Sequence, residues 1–201
     1  MSIYALKPKF QALLRPLVTR LASAGVTANQ VTLLACLISL IVGAVVWWSA
    51  AKPAVFLLIP VWMLLRMALN AVDGMLAREF GQKSALGAYL NEITDVIADA
   101  ALYFPFALLA GSSMELIVLV IVLSAVSELT GTVAVMTGAS RRYDGPMGKS
   151  DRAFVFGLIG LLAGLGVPMI GWLNYAWMAL AVLIGVTIRN RIRRGLAEIK
   201  R

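Results

Sequence analysis

The sequence contains no histidine, one cysteine and few charged residues, and each shortage restricts its chemistry. With no His in 201 residues, a histidine general base and histidine-ligated zinc are excluded. The one cysteine, Cys36, excludes an intramolecular disulfide and a cysteine metal cluster, and we interpret it as a packing residue. Acid–base chemistry must therefore come from carboxylates.

The sequence has long apolar stretches and few charged residues. Hydrophobic residues make up 61% of the chain and charged residues 14%, and the mean hydropathy is +0.88. Several stretches reach the roughly 20 apolar residues that a helix needs to cross a bilayer. We predict an all-α integral membrane protein in which residues 1–201 form one domain, and we expect no cleavable signal peptide.

Periodicity and turn residues divide the chain into an amphipathic helix, six spans and a tail. Over residues 1–24, apolar positions such as Ile3 recur every three or four residues with basic residues between them, which is typical of an interfacial helix. Thr27 and Gln30 form a capping-box pattern, which begins a six-helix bundle predicted over residues 28–188. Residues 189–201 are interpreted as a basic, solvated cytoplasmic tail. The predicted spans are 28–51, 54–80, 85–109, 114–136, 152–167 and 172–188.

The distribution of positive charge predicts the orientation. In a six-span topology every Lys and Arg lies on one side except Lys52, on the other side, and Arg66, inside a span. Basic residues are enriched in cytoplasmic loops, so we predict cytoplasmic termini and a cytoplasmic active face, in the inner membrane if the source is bacterial. The net charge of +8 thus reports orientation, and no nucleic-acid partner is expected.

Polar residues inside the predicted spans mark a candidate site. A charged group in hydrocarbon is costly unless it is partnered, so intramembrane carboxylates are functional candidates. Residues spaced three or four apart lie on one face of each of two neighbouring helices. The first face carries Asn70, Asp73 and Ala77, and the second carries Gly87, Asn91, Asp95 and Asp99. Oxygen ligands of this kind, without His or Cys, suit Mg²⁺ or Mn²⁺.

The spacing of these residues resembles the CDP-alcohol phosphotransferase motif. It reads Asn70-x-x-Asp73-Gly74-x-x-Ala77-Arg78, then eight residues, then Gly87-x-x-x-Asn91-x-x-x-Asp95. The family has aspartate at all four acidic positions, so this chain departs from the pattern at Asn70 and Asn91. Each asparagine offers a carbonyl oxygen but no negative charge, and weaker metal binding is expected.

The resemblance implies a transferase that moves a phosphatidyl group from CDP-diacylglycerol to a hydroxyl acceptor and releases CMP. It implies Mg²⁺ or Mn²⁺ as cofactor, a homodimer, and Asp95 as the general base. The implied metal ligands are Asn70, Asp73, Asn91 and Asp95. The residues implied to lie against the CDP pyrophosphate are Gly74, Ala77, Arg78 and Gly87.

A second basic cluster, in the loop before span five and at its start, is a candidate acceptor site. It consists of Arg141, Arg142, Lys149 and Arg152. The cluster fits either an anion pocket for a phosphorylated acceptor such as glycerol 3-phosphate, or positive-inside residues near anionic head groups.

Several other residues receive structural interpretations. We expect Arg66 to pair with Asp73 or to contact a phosphate, with pairing favoured, and Glu128 to pair with a basic residue that the sequence does not identify. Gly157, Gly160 and Gly164 predict close helix packing or a dimer contact. The tryptophans at 47, 48, 172 and 177 are interpreted mostly as anchors at the membrane interface.

Two other functions are compatible with buried carboxylates. An ion-coupled transporter uses them as relays, but the repeated halves and broken helices of many transporters are not evident in this sequence. A catalytically inactive relative that binds a CDP-lipid would account for Asn70 and Asn91. Both asparagines retain oxygen donors and Asp95 is present, which favours the enzyme.

Overall fold

The computed structural model describes residues 6–200, and side chains from residue 10 onward. The first five residues of the predicted amphipathic helix, Ile3 among them, and Arg201 of the tail lie outside this range. Residues 6–200 form seven α-helices and no β-strand. The helices are α1 (Leu6–Ser23), α2 (Ala28–Trp48), α3 (Leu58–Glu79), α4 (Ala85–Tyr103), α5 (Met114–Met136), α6 (Lys149–Gly164) and α7 (Leu173–Ile199).

The predicted helices are present, and prolines account for the shifted boundaries. The predicted second span begins with a 3₁₀ turn, Pro53–Leu57, and the third ends with another, Phe104–Leu108. Pro53 and Pro105 supply no backbone N–H, which favours short 3₁₀ segments over a longer α-helix. The capping box is confirmed, since Gln30 N–H donates to Thr27 Oγ1 and Thr27 N–H donates to Gln30 Oε1.

Three helical segments within residues 6–200 are long and apolar enough to cross a bilayer. They are Ala28–Trp48, Pro53–Glu79 and Met114–Met136. The all-α membrane class is therefore confirmed, while six spans stay a prediction. Helix α6 has only 16 residues, and α4 and α7 carry more charge than a hydrocarbon-exposed span normally does.

Helix α7 includes most of the residues of the predicted basic tail after residue 188. It continues without a break to Ile199. Arg191 is only 2% exposed and donates to the carbonyl oxygen of Ser127 on α5. This part of α7 therefore packs against α5 and is not a freely solvated end, although Arg193 and Arg194 beside it are exposed.

The main core is formed by residues of α2 to α7 and of the two 3₁₀ turns, and it is rich in aromatic rings. Trp177 is fully buried, with its ring stacked on Phe156 and edge-on to Phe106. It is a core residue, so its prediction as an interface anchor was wrong. Trp48, in contrast, is 81% exposed at the end of α2.

The three glycines of α6 contact the same chain. Gly157 faces Pro60, Gly160 faces Ile59, and Gly164 faces Leu57. Small residues at these positions allow α6 to approach α3 and the 3₁₀ turn closely. These contacts support the helix-packing alternative of the sequence prediction.

Helix α1 lies against the ends of α2 and α3. Val18 is fully buried against a small cluster that includes Val72 and Leu76, while Leu13 is 76% exposed. Arg15 forms an ion pair with Glu79 at the end of α3, with 2.7 Å between Nη1 and Oε2. Helix α1 thus has apolar side chains that pack against the other helices and apolar side chains that are exposed. This is typical of a helix at a membrane interface.

Candidate functional site

Asp73 is buried on α3 and is held by the neighbouring helix α2. Thr32 Oγ1 donates to its Oδ2 at 2.8 Å, and the residue is 7% exposed. Sequence reasoning did not identify Thr32. Its position, one turn after the capping box, becomes informative only when α2 is known to lie beside α3.

Asp95 on α4 is bracketed by two cationic side chains. Arg66 Nη2 lies 3.0 Å from its Oδ1, and Lys149 Nζ pairs with its Oδ2. Arg66 also donates from Nη1 to Asp99 at 2.5 Å. The expected pairing of Arg66 with Asp73 was therefore wrong, because the guanidinium of Arg66 points across to α4 and Thr32 holds Asp73 instead.

The predicted metal ligands provide oxygen donors from two helices. Asp73 lies on α3 and Asp95 on α4, and the side chains of Asn70 and Asn91 are half-buried. Within residues 6–200, no group of three or more His, Cys, Asp or Glu side chains is arranged to hold a metal ion. Two carboxylates and two amides still form a donor set that fits a hard divalent cation, with little negative charge to bind it.

The two motif glycines have different neighbours. A Cβ on Gly74 would lie 2.9 Å from Arg78 Nη2, which is the end of a flexible and exposed side chain. A Cβ on Gly87 would lie 2.8 Å from Asn29 Oδ1 and 3.1 Å from Ser84 Oγ. Gly87 thus allows Asn29, at the start of α2, to approach the first turn of α4.

A groove of about 550 Å³ runs between α3 and α6 and ends beside this cluster. Its polar end carries Arg66, Asn70, Lys149 and Ser150. The rest of its wall is apolar and is formed by Pro60, Met63, Leu64, Met67, Ala153, Phe154, Gly157, Leu158 and Leu161. The groove therefore offers polar and apolar surface to one elongated, amphipathic ligand.

Glu128 on α5 forms ion pairs with Arg141, Arg152 and Arg191. We call these four residues the Glu128 hub. Arg152 Nη2 lies 2.9 Å from Oε1, while Arg141 Nη2 and Arg191 Nη1 lie 3.3 and 3.5 Å from Oε2. The expectation that Glu128 pairs with a basic residue is confirmed. Arg152 also reaches Asp99 at 3.4 Å, so the hub is continuous with the cluster around Asp95.

Arg142 belongs to a different network, between the α5–α6 loop and α7. It pairs with Asp144 at 2.7 Å and with Glu198 at 2.5 Å, while Arg194 also pairs with Asp144 at 2.7 Å. Burial favours a higher pKa for Asp144, but hydrogen bonds and charges from Arg194 and Arg142 outweigh it and lower the pKa. The ionised Asp144 carboxylate therefore stabilises the fold at pH values above the ordinary carboxyl pKa. This stabilisation is lost as the pH falls through the lowered pKa of Asp144.

The predicted residues thus fall into three neighbourhoods. Asp73, Asp95 and Asn70 lie near one end of the groove, together with Lys149. Arg141 and Arg152 belong to the Glu128 hub, and Arg142 stabilises the loop. The four basic residues predicted as one acceptor site are therefore divided among all three.

Comparison with known proteins gives one family match and several similar proteins. The family model described as CDP-alcohol phosphatidyltransferase matches residues 25–187. Inner membrane protein YnbA of Escherichia coli is 45% identical over 193 residues, which is 96% of each chain. Archaetidylinositol phosphate synthase of Pyrococcus horikoshii is 31% identical over 103 residues, 51% of this chain and 52% of that protein.

Two solved structures of Mycobacterium tuberculosis phosphatidylinositol phosphate synthase share the fold, each at 21% identity. The structure with CDP-DAG bound has a TM-score of 0.74 and covers 90% of this chain and 92% of its own. The complex with manganese and citrate has a TM-score of 0.70 and covers 90% and 88%.

Proposed function

The chain belongs to the CDP-alcohol phosphatidyltransferase family, and on that basis we propose that it transfers a phosphatidyl group from CDP-diacylglycerol to a hydroxyl acceptor and releases CMP. The observation that carries this proposal is the position of the motif at the polar end of the groove. Asn70 of the motif lines the groove, and Lys149, also in its wall, pairs with Asp95 of the motif.

The groove suits the lipid part of the donor. Its apolar wall between α3 and α6 would contact an acyl chain, and Arg66 and Lys149 at its polar end would contact the pyrophosphate. Phe154 and Leu64 in that wall are 71% and 65% exposed. The bound mycobacterial structure contains CDP-DAG, which supports the same donor class for this chain.

The site residues have distinct proposed roles. Asp95 accepts the proton of the acceptor hydroxyl, whose oxygen forms a bond to the phosphorus of the phosphatidyl group. The bond from that phosphorus to the bridging oxygen breaks, and this oxygen leaves with CMP. Arg78 would bind phosphate oxygens, while Gly74, Ala77 and Gly87 leave room for the nucleotide. Thr32 positions Asp73.

A divalent cation fits the donor oxygens of the same site. Asn70, Asp73, Asn91 and Asp95 would hold Mg²⁺ or Mn²⁺, which supplies positive charge to the pyrophosphate when bound. The manganese complex of the mycobacterial enzyme supports this choice of metal. Lys149 and Arg66 must share Asp95 with the cation, which agrees with the expectation of weak metal binding.

Topology and assembly are part of the proposal. We propose that α2 to α7 cross the membrane, that both termini and the groove's polar end face the cytoplasm, and that residues 1–201 form one domain. The charge distribution supports the orientation. The homodimer stays a prediction from the family resemblance, and glycerol 3-phosphate stays one of the two hypotheses raised by the basic cluster.

The function is tested by incubating purified protein in liposomes with CDP-diacylglycerol, Mg²⁺ or Mn²⁺, and a panel of alcohols. We expect CMP release that depends on both the metal and the acceptor. Asp95→Asn should lower the rate by roughly 10²–10⁴-fold, the usual contribution of a general base.

Asp151→Asn is the matched control, since Asp151 is an exposed residue at the start of α6 whose carboxylate accepts from Gly148 N–H. It should retain most of the activity. CDP-lipid binding without CMP release in any mixture would contradict the transferase and favour the inactive relative instead.

A further inference from the structure

The charges around the site restrict the class of acceptor. Resting on the proposed transferase function, we infer that the acceptor is an uncharged alcohol, such as a polyol or a sugar hydroxyl, and that Glu128 excludes phosphorylated acceptors. The inference depends on how the basic residues near the site are already partnered.

The most deeply placed arginines are closed off from a substrate. Arg152 is 0% exposed and Arg191 is 2% exposed. Arg152 Nη2 is shared between Glu128 and Asp99, and Arg191 Nη1 is held by Glu128 and the Ser127 carbonyl. A phosphate group could bind either guanidinium only after these contacts had opened.

The space at the hub is too small for a phosphate. A cavity lined by Asp99, Tyr103, Glu128 and Arg152 has a volume of about 10 Å³, which is the room one water molecule requires. The Tyr103 hydroxyl and the Arg152 Nε are buried without a hydrogen-bond partner among the described residues. The cavity has room for one water molecule beside these donors, whereas a phosphate would have to displace Glu128.

The more accessible basic residues near the site also form ion pairs, each with one or two carboxylates. Arg141 pairs with both Glu92 and Glu128, and Lys149 pairs with Asp95. Arg142, in the loop network, pairs with Asp144 and Glu198. Lys149 is assigned to the donor's pyrophosphate, so a phosphorylated acceptor would have to compete with a carboxylate for the remaining cations and would leave that carboxylate without its partner.

Two accessible side chains at the site, Glu92 and Asp95, are carboxylates and accept hydrogen bonds. Glu92 and Asp95 are three residues apart on α4, so they share a face, and their side chains are 31% and 20% exposed. Asn91 lies next to Glu92 and is half-buried. Carboxylate oxygens accept hydrogen bonds from hydroxyl groups and repel phosphate, which matches a neutral, hydroxyl-rich acceptor.

Matched acceptor pairs provide the test: glycerol against glycerol 3-phosphate, and inositol against inositol phosphate. CMP release from CDP-diacylglycerol is measured for each member over a range of concentrations. We expect kcat/KM for the neutral member of a productive pair to be at least about ten-fold higher. A phosphorylated member with the higher kcat/KM would overturn the inference.

Glu128→Gln tests the residue itself. Removing the carboxylate leaves three arginines to attract an anion, so the ratio of kcat/KM should shift toward the phosphorylated member by about ten-fold or more. Glu115→Gln is the matched control, because Glu115 is exposed at the opposite end of the same helix and should leave the ratio unchanged. An unchanged ratio in Glu128→Gln would overturn the assigned role.

Two further measurements keep the result interpretable. Should Glu128→Gln fail to fold, Glu92→Gln frees Arg141 at a partly exposed position and should shift the ratio in the same direction. Failure of the transferase proposal has a different signature, because no acceptor of either charge would then release CMP. Activity with phosphorylated acceptors alone would contradict the inference and leave the transferase intact.

Discussion

At the scale of single residues, the motif glycines differ in what a side chain would meet. The virtual Cβ of Gly74 meets only the flexible guanidinium of Arg78, whereas that of Gly87 meets Asn29 and the Ser84 cap of α4. The first position therefore accepts a side chain in the protein alone once the guanidinium of Arg78 moves aside. Its lack of a side chain has a functional explanation, namely the close approach of a nucleotide.

Gly74→Ala should therefore weaken the binding of CDP-diacylglycerol without lowering the stability of the protein. We expect an unchanged or slightly raised melting temperature, because Ala favours a helix interior by roughly 0.5–1 kcal/mol over Gly. The KM for CDP-diacylglycerol should rise about ten-fold or more. Thermal unfolding and CMP-release kinetics measure the two effects, with Gly185→Ala as control, since a Cβ there meets open space. Equal donor KM values in both variants would contradict the role of Gly74.

The residues of the motif could be predicted from sequence, but their partners could not. Spacing of three and four places Asp73 and Asp95 on defined helix faces, which is a local property of the chain. Thr32, Lys149 and Glu128 join the site only through the packing of distant helices. Arg66 illustrates the limit, because its helix face was predictable and the helix that it pairs with was not.

At the scale of helices, the α2–α4 contact is the tightest glycine-mediated crossing near the site. The virtual Cβ of Gly43 would lie 2.8 Å from the carbonyl carbon of Ala101. That neighbour is backbone, so it cannot rotate away as a side chain would. The contact fixes α4, and with it Asp95, relative to α2 and Thr32.

Gly43→Ala should therefore destabilise the protein through overpacking, by about 1–3 kcal/mol. The measurement is the free energy of unfolding in detergent with increasing denaturant. Gly185→Ala again serves as the matched control and should be neutral or stabilising. A Gly43→Ala variant as stable as the control would show that α2 and α4 are less closely packed than described.

Helix boundaries show where local sequence rules fail. Met114–Met136 matches the predicted fourth span because Ser113 caps its start and Thr137 follows its end. The packing of Arg191 inside the bundle was not predicted, because a run of arginines resembles a solvated tail. The tertiary partner of Arg191 on α5, invisible in the sequence, makes a longer helix favourable.

At the scale of the whole molecule, the asymmetric distribution of positive charge predicts the orientation. Lys52 and Lys200 are both exposed, one before α3 and the other after α7. Five of the six predicted spans, α3 to α7, separate the two lysines. An odd number of crossings places them on opposite sides of the membrane, so they are predicted to face opposite sides.

A pair of cysteine variants tests this topology. In a Cys36→Ser background, Lys52→Cys should react with a membrane-impermeant maleimide in intact, outer-membrane-permeabilised cells. Lys200→Cys should react only after the inner membrane is also opened. Labelling of Lys200→Cys alone in intact inner membranes would indicate the opposite orientation. Labelling of both sites would indicate a different number of crossings.

The Glu128 hub also constrains the order in which this sequence can diverge. Loss of the carboxylate alone leaves three arginines competing for the remaining acidic groups, and breaking a buried pair in this way costs about 3–5 kcal/mol. Loss of any one arginine leaves Glu128 with two partners. Substitutions at positions 141, 152 and 191 should therefore precede a neutral residue at 128, so the evolutionary path through these four positions has a direction.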